Sequence, residues 1–438
     1  MRLVIDMQGA QTASRFRGIG RYTFSLVKEM ARLRGEHEIL LVLNAAYADT
    51  IEQIRADFAQ WLPVDAIRVF EVAGPVDGHD VANDSLRKAS ESMLEAFFYS
   101  LKPDVILISS LFEGFYGYAV TISGGLNGVA PTAVILYDLI PQVHPHIYLR
   151  DPDMNRWYLG KLNHLKRADI LLSISESSGR DAVDHLNFSE QAVINISTAC
   201  DPQFHPIYLS EATRSHLDTT YGINRPFVLA AGDTDARKNL DGLFRAFANL
   251  PEEIRDSYSL VLVGHGVFHQ KNHFLSLAIK AGLQRSELIF TGYVSDSELN
   301  LLYNACSLFV FPSWYEGFGL PVLEAMTCGK AVIAANSSSL PEVLGRQDAL
   351  FAPRDDVAMT TKMAEVLGNA EFRQDLERHG LEQAKKFSWE FSAHRAWNAL
   401  QNLHAQHLDQ RSATRIHPTR RPSVVLHSVC CLNGCWRE

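Results

Sequence analysis

The stretch Tyr315-Glu316-Gly317-Phe318-Gly319-Leu320-Pro321-Val322-Leu323-Glu324-Ala325-Met326 decides how the chain folds. Ahead of it, Ser307-Leu308-Phe309-Val310-Phe311-Pro312 is a short apolar run with the length of a buried parallel strand, ended by a proline. Behind it, Leu320 to Thr327 has the pattern of a helix, with Pro321 near the first helical position, where a missing N–H removes no hydrogen bond. A strand therefore feeds a glycine-containing loop, and the loop feeds a helix start. In a parallel α/β sheet that junction lies at the carboxyl edge, where ligands bind and where unpaired N–H groups and the helix dipole attract anions. Gly317 and Gly319 let the backbone come close to a ligand. Glu316 and Glu324 frame the element. Carboxylates beside a phosphate would repel it, so they suit acceptor roles toward hydroxyls, as a sugar-rich ligand requires. The same two residues also fit the plainer role of capping and solvating a helix start.

Glu316-Gly317-Phe318-Gly319-Leu320-Pro321, with Glu324 eight positions after Glu316, resembles the E-x7-E signature of retaining, nucleotide-sugar-dependent glycosyltransferases of family 4. The resemblance continues through Thr291-Gly292-Tyr293-Val294-Ser295-Asp296 upstream and Asn336-Ser337-Ser338-Ser339-Leu340-Pro341-Glu342-Val343 downstream. Several linked motifs in order are far more specific than one. The resemblance implies an α/β GT-B fold, two Rossmann-like parallel-sheet domains facing across a cleft. The expected division is residues 1–203 for an acceptor-side domain, 204–225 for a linker and 226–387 for a nucleotide-sugar-binding domain. Residues 388–408 are expected to form a helix crossing back to the first domain, and 409–438 a disordered tail.

A chain of 438 residues is long for one core and comfortable for two domains. With 47% hydrophobic and 21% charged residues and a net charge of −9, the composition is that of a soluble globular protein and gives no support to nucleic-acid binding as the main role. A local basic patch for membrane lipids stays open. Met1-Arg2-Leu3-Val4-Ile5-Asp6 enters a strand at once, and no apolar run approaches a membrane span. The expectation is a cytoplasmic protein, peripheral on the inner face of the plasma membrane if it meets the membrane at all. Cys200, Cys306 and Cys328 stand singly in apolar surroundings, as reduced core cysteines do. Cys430, Cys431 and Cys435 cluster near the end without four-ligand zinc spacing.

Leu3 to Asp6 is a short buried strand, and Tyr22 to Arg34 has helical spacing through Phe24, Leu26, Val27, Met30 and Leu33. Between them runs a loop ending in Arg17-Gly18-Ile19-Gly20-Arg21-Tyr22. Gly18 and Gly20 suit a diphosphate at the helix start, or simply a flexible turn. This is no dehydrogenase fingerprint, because the third glycine is missing. Further strands are expected at Glu38–Leu43, Ile67–Val72, Pro103–Ser109, Pro131–Leu136, Ile170–Ile174 and Ala192–Ile196. The fifth of the domain's seven strands ends at Tyr137-Asp138. Many family members carry His-Asp there, and the departure to Tyr137-Asp138 in this chain excludes a catalytic histidine at 137 and leaves Asp138 to touch acceptor or donor hydroxyls. A strand-end aspartate that merely caps a loop is the plainer alternative. His144 and His146 follow, and with Asp138 they could suggest a metal, but nothing else supports one and the family generally binds donors without it. Ser175-Glu176-Ser177-Ser178 resembles the family's serine-rich turn at the domain interface, and Ser175 suits a helix cap.

Pro226 to Gly232 opens the second sheet, followed by Arg237-Lys238-Asn239-Leu240 and a helix with apolar spacing at Leu243, Phe244, Phe247 and Leu250. Two adjacent cations at a strand-to-helix junction form a clamp for a diphosphate and neutralise charge on a leaving group. Solvated charge is disfavoured there, since cations oppose the dipole at a helix start. The resemblance assigns Lys238 to the donor phosphates. Where relatives have an arginine after the glycine this chain has Asp233, so Arg237 is the candidate substitute. Strands are expected at Ser259–Gly264, Leu288–Gly292, Ala331–Ala334 and Ala349–Phe351, one helical stretch from Val357 to Phe387, and a last helix from Trp389 to about Leu408. By resemblance, Tyr293 and Val294 hold the nucleotide base, with Gly317, Phe318, Gly319 and Leu320 around the donor.

The expected activity is retaining transfer of a sugar from a nucleotide-sugar donor, without metal or other cofactor, to a glycan or lipid-linked glycan hydroxyl. Glu316, Asp138 and Lys238 are the catalytic candidates. The run from Val4 to Tyr22 is similar to that of bacterial mannosyltransferases building O-antigen polysaccharide, which suggests GDP-mannose. Alternatives are a GT-B nucleotide-sugar epimerase or hydrolase, and a non-catalytic sugar-nucleotide-binding subunit of a polysaccharide assembly complex.

Overall fold

The computed structural model describes residues 1–416 apart from 17, 125–129 and 233; the side chains of 265, 267 and 413–416 are also outside it. Strands β1 (Arg2–Asp6), β2 (Glu38–Asn44), β3 (Ile67–Phe70), β4 (Val105–Ile108), β5 (Thr132–Leu136), β6 (Ile170–Ser173) and β7 (Val193–Asn195) form one sheet. Its order is β3-β2-β1-β4-β5-β6-β7. Strands β8 (Phe227–Ala231), β9 (Ser259–Val263), β10 (Leu288–Gly292), β11 (Leu308–Phe311), β12 (Val332–Ala335) and β13 (Leu350–Phe351) form the second, ordered β10-β9-β8-β11-β12-β13. Every pairing is parallel. Helices cover both faces of such sheets, so their strands read as near-continuous apolar runs. Leu3, Val4 and Ile5 of β1 and Leu308, Phe309 and Val310 of β11 are accordingly fully buried.

Each sheet reverses direction once, between β1 and β4 and between β8 and β11. A crevice opens beyond the carboxyl ends of the strands at such a switch point. The loops entering the second crevice are those carrying Arg237-Lys238 after β8 and Tyr315 to Gly319 after β11.

Several expectations shift. The first helix spans Gly18–Arg32, so Gly18-Ile19-Gly20 form its first turn instead of a loop. Glycine disfavours a helix, but tertiary contacts override that here: the Tyr137 hydroxyl lies 3.3 Å from Ile19 O. The stretch from Val357 to Phe387 divides into helices Asp356–Gly368 and Ala370–Ala384. Asn369 breaks it by accepting the Phe372 N–H at 3.0 Å, as an N-cap does. Helices Ala48–Phe58 and Lys271–Lys280 were not anticipated.

The last helix runs Trp389–Ile416, past the boundary at 408, so residues 409–416 belong to a helix and not to a tail. Residues from 417 on, with Cys430, Cys431 and Cys435, lie outside the described residues. The helix does cross back. Ala393, Ala396, Trp397, Leu400 and Leu403 are buried at helical spacing, Trp397 Nε1 donates to Met30 O at 3.1 Å, and Arg395 donates to Asn195 O at 2.7 Å. Each large apolar side chain so buried stabilises by about 1.5–3 kcal/mol, enough to hold the helix on the first domain. Among the described residues, no helix is long and apolar enough to cross a membrane, and Cys200, Cys306 and Cys328 carry free thiols.

Candidate active site

Between the carboxyl edges of the two sheets lies a cavity of about 530 Å³. The first domain contributes Gly18 and Asp138; the second contributes Arg237, Lys238, Tyr293, Val294, Glu324 and the run from Glu316 to Leu320. These are the sequence candidates, now on one surface, with one exception. Gly20 does not line this cavity. A Cβ there would stand 2.3 Å from Arg15 Cα and 2.4 Å from Ser14 O, so glycine at 20 lets the turn Ala13–Phe16 lie against the helix.

Glu316 is the centre of the charge arrangement. Its Oε2 accepts from Arg237 Nη1 at 2.5 Å and its Oε1 from Lys238 Nζ at 2.6 Å. The three side chains are only 10%, 19% and 16% exposed, so water screens the attraction weakly. Burial pushes the Glu316 carboxyl up, but Lys238 and Arg237 more than reverse this and hold it below the ordinary carboxylate range. Arg237 is fixed further by Asp235, whose Oδ2 accepts from Nε at 2.9 Å, and by Tyr315 O at 3.1 Å. The Lys238 ammonium also lies 5.0 Å from the Phe311 ring centroid. Two rigidly held cations and one carboxylate thus point into the same space, the combination needed to hold an anion and hydroxyls together.

Glu324 has a different environment. It accepts from Tyr303 Oη at 2.9 Å, and burial pushes its carboxyl up to about 7. Tyr303 is fully buried mid-helix and reads in the sequence as core; nothing in the residue order links it to Glu324. Because the folded-state pKa is raised, the native protein binds the extra proton, so stability from this group is full below its ordinary pKa of 4.5 and is lost as pH rises toward 7. A ribose diol donates better to the ionised form. A ligand that presents a diol to Glu324 and does not itself titrate near neutrality should therefore bind more tightly at pH 8 than at pH 6, by a few-fold in calorimetry. Glu324→Gln should flatten that dependence; an unchanged pH profile in the variant would remove Glu324 from the contact.

The two domains touch around the cavity. Gly317 O accepts from the Ser175 hydroxyl at 2.6 Å and lies 2.9 Å from that of Ser178, which reaches Tyr137 O at 2.8 Å. Ser175 also caps its helix by accepting the Ser178 N–H. Glu342 of the second domain accepts the N–H groups of Glu176 and Ser177 at 2.9 and 3.0 Å, satisfying donors at the helix start from across the interface. Tyr315 Oη donates to Asp181 at 2.6 Å, Tyr148 Oη to Asp235 at 2.8 Å, and Arg21 pairs with Asp296 at 2.7 Å. Arg21 and Asp296 both fall inside the quoted motifs, but only the fold reveals them as partners. Asp138 sits beside Gly317 in this seam. Its Oδ1 accepts the Ile140 N–H at 3.0 Å, the loop-capping alternative, while burial raises its carboxyl and its side chain still lines the cavity. Tyr137 hydrogen-bonds Thr23 at 2.9 Å, anchoring the first helix.

Tyr293 is 76% exposed at the rim, a flat surface where a base could stack. Asp233 lies outside the described residues. His144 packs edge-on against Trp314 and Tyr315, with centroids 4.8 and 4.9 Å away. Among the described residues, no group of three or more His, Cys, Asp or Glu side chains is placed to hold a metal ion.

Residues 219–383 match the model for glycosyl transferases group 1. The chain is 35% identical over 405 residues to the serotype-specific mannosyltransferase WbdA of Escherichia coli, covering 92% of this chain and 48% of that protein. It is 29% identical over 404 residues to the O-antigen chain mannosyltransferase B of the same species, covering 88% of this chain and 96% of the relative. The chain thus spans about half the length of the WbdA proteins it matches. Among solved structures, WaaG, a glycosyltransferase involved in lipopolysaccharide biosynthesis, superposes with a TM-score of 0.61 at 16% identity, over 90% of this chain and 98% of that one.

Proposed function

Starting from a GT-B glycosyltransferase that resembles bacterial O-antigen mannosyltransferases, we propose that the chain transfers mannose from GDP-mannose, with retention, to a hydroxyl of a growing bacterial surface glycan. The observation that carries this reading is Glu316 held between Arg237 and Lys238 inside the cavity shared by both domains. The diphosphate competes with Glu316 for the two cations and releases its oxygens to accept sugar hydroxyls beside the reacting carbon. Glu324 takes the ribose diol, and Tyr293 with Val294 the base.

In the chemical step, the bond between sugar C1 and the diphosphate oxygen breaks and GDP departs with the electron pair, leaving an oxocarbenium-like sugar. Arg237 and Lys238 stabilise the charge that develops on GDP, with no metal in the scheme. Retention requires the acceptor hydroxyl to attack from the face that GDP leaves. The departing phosphate oxygen is the base on that face and takes the proton. Asp138 orients hydroxyls from the first domain, and contact between the domains keeps water from replacing the acceptor. The growing glycan is lipid-linked in this reading, and contact with the inner leaflet follows from its anchor.

Thermal unfolding with a panel of nucleotide sugars tests the donor. GDP-mannose at a hundredfold excess over Kd should stabilise by about 2.7 kcal/mol, read as a clear rise in Tm, with UDP-sugars giving little. Stabilisation by a UDP-sugar alone would overturn the donor assignment. Turnover of GDP-mannose only in the presence of a glycan acceptor separates a transferase from an epimerase, a hydrolase or a silent binder.

A further inference from the structure

Tyr148 and Asp181 of the first domain and Asp235 and Tyr315 of the second stand beside the candidate active site without lining its cavity. All four converge on Arg237, which does line it. Arg237 Nε donates to Asp235 Oδ2 at 2.9 Å and Nη1 to Tyr315 O at 3.1 Å. Each support is in turn held from across the seam: the Tyr148 hydroxyl donates to Asp235 Oδ1 at 2.8 Å, and the Tyr315 hydroxyl donates to Asp181 Oδ1 at 2.6 Å. Asp235 also caps the turn Ala236–Lys238 by accepting the Arg237 N–H at 3.0 Å. One carboxylate thus fixes both the backbone and the guanidinium of Arg237.

These two bonds differ from the rest of the seam in where they end. Ser175 and Ser178 grip Gly317 O, Glu342 takes the N–H groups of Glu176 and Ser177, and Arg21 pairs with Asp296, and none of these reaches a support of Arg237. The hydroxyls of Tyr148 and Tyr315 each fix one support of the same guanidinium. His144, just ahead of Tyr148, packs edge-on against Trp314, whose N–H donates to Arg237 O at 3.0 Å. One short stretch of the first domain therefore meets both loops that carry the charge cluster. Burial, with the Asp235 and Asp181 carboxylates, pushes the two hydroxyls well above the ordinary tyrosine range, so both stay donors through neutral pH.

Resting on the transferase reading above, we infer that Tyr148 is a positioning residue for the leaving group, with Asp181 as its counterpart. Through Asp235 and Tyr315 they hold the Arg237 guanidinium in its working orientation only while the two domains touch. A guanidinium with fixed supports needs no reorganisation as charge develops on the diphosphate. With the domains apart, Arg237 keeps its charge and its bond to Glu316 and loses the fixing of both outer supports. The donor then still binds, but the charge it gains on leaving is stabilised less. Donor cleavage is in this way tied to contact between the domains.

The test uses the full chain, GDP-mannose as donor and α-linked mannotriose as acceptor probe, with GDP affinity measured separately by calorimetry. Tyr148→Phe deletes one oxygen and keeps the ring. It should lower kcat about tenfold, leave KM for mannotriose within about twofold of wild type and weaken GDP by no more than about threefold. Tyr315→Phe should behave likewise. In an Arg237→Lys background, which has no guanidinium to orient, Tyr148→Phe should cost less than about twofold in kcat. A hydroxyl that only packs the seam would cost the same in both backgrounds. That result, or wild-type kcat in Tyr148→Phe, overturns the inference and leaves the transferase reading standing. Where Arg237→Lys does not fold, nuclear magnetic resonance of the Arg237 Nε–H decides: its exchange with water should quicken at least about fivefold in Tyr148→Phe, and unchanged exchange overturns the inference. Wild-type protein that binds GDP but transfers to no glycan sinks the transferase reading, and this inference with it.

Discussion

Replacing Glu316 with alanine is expected to lower kcat for glycosyl transfer by at least a thousandfold, about 4 kcal/mol of transition-state stabilisation. Two losses combine. In the proposed mechanism the sugar hydroxyls beside the reacting carbon lose their acceptor, and Arg237 and Lys238 lose the carboxylate that fixes them at 2.5 and 2.6 Å. Removing one partner of a buried ion pair destabilises by about 3–5 kcal/mol when nothing replaces it. Asp235 still holds Arg237, so the native fold should survive at a lower Tm. Glu316→Gln separates the two effects: it keeps the shape and one acceptor oxygen, should recover most of the Tm, and should still transfer about a hundredfold more slowly than wild type. Wild-type turnover in Glu316→Gln would show the residue to be an architectural counter-ion. By contrast, Glu324→Ala should act mainly through donor affinity.

The second large effect is expected at Gly317. A Cβ there would stand 2.6 Å from Tyr137 O and 3.1 Å from Asp138 Cβ, both in the other domain. Backbone cannot retreat from such a contact as a flexible side chain can, so alanine at 317 forces the domains apart while leaving its own domain unstrained. The hydrogen bonds from Ser175 and Ser178 to Gly317 O would be lost together. Gly317→Ala should therefore reduce kcat at least a hundredfold while weakening binding of the donor nucleotide less than tenfold. Small-angle scattering should show a larger radius of gyration than wild type in the presence of the donor nucleotide. A variant as compact and as active as wild type would mean that contact at this seam does not govern turnover.

The architecture was legible because strands buried on both faces have no polar side to hide. Runs such as Leu308-Phe309-Val310-Phe311 mark their own position, and the loop that follows each one is pushed to the carboxyl edge. Boundaries set by side-chain capping were harder to read, as Asn369 shows by interrupting one apparent helix. The first helix began earlier than its spacing suggested because Tyr137, more than a hundred positions away, is anchored beside Ile19 O.

Among the site residues, Glu316 and Lys238 could be placed at one cavity in advance, since a motif puts each on a strand-to-helix loop; their ion pair could not. The contacts Tyr303–Glu324, Arg21–Asp296 and Glu342 with the N–H groups of Glu176 and Ser177 could not. Residue order thus determined the two layered sheets and the kinds of chemical group each loop would carry, because periodicity and turn chemistry act over a few neighbours. Which of those groups meet, how strongly burial shifts them, and that Gly20 serves packing while Gly317 serves domain contact were decided only in three dimensions, where distances of a few ångströms join positions far apart in the chain.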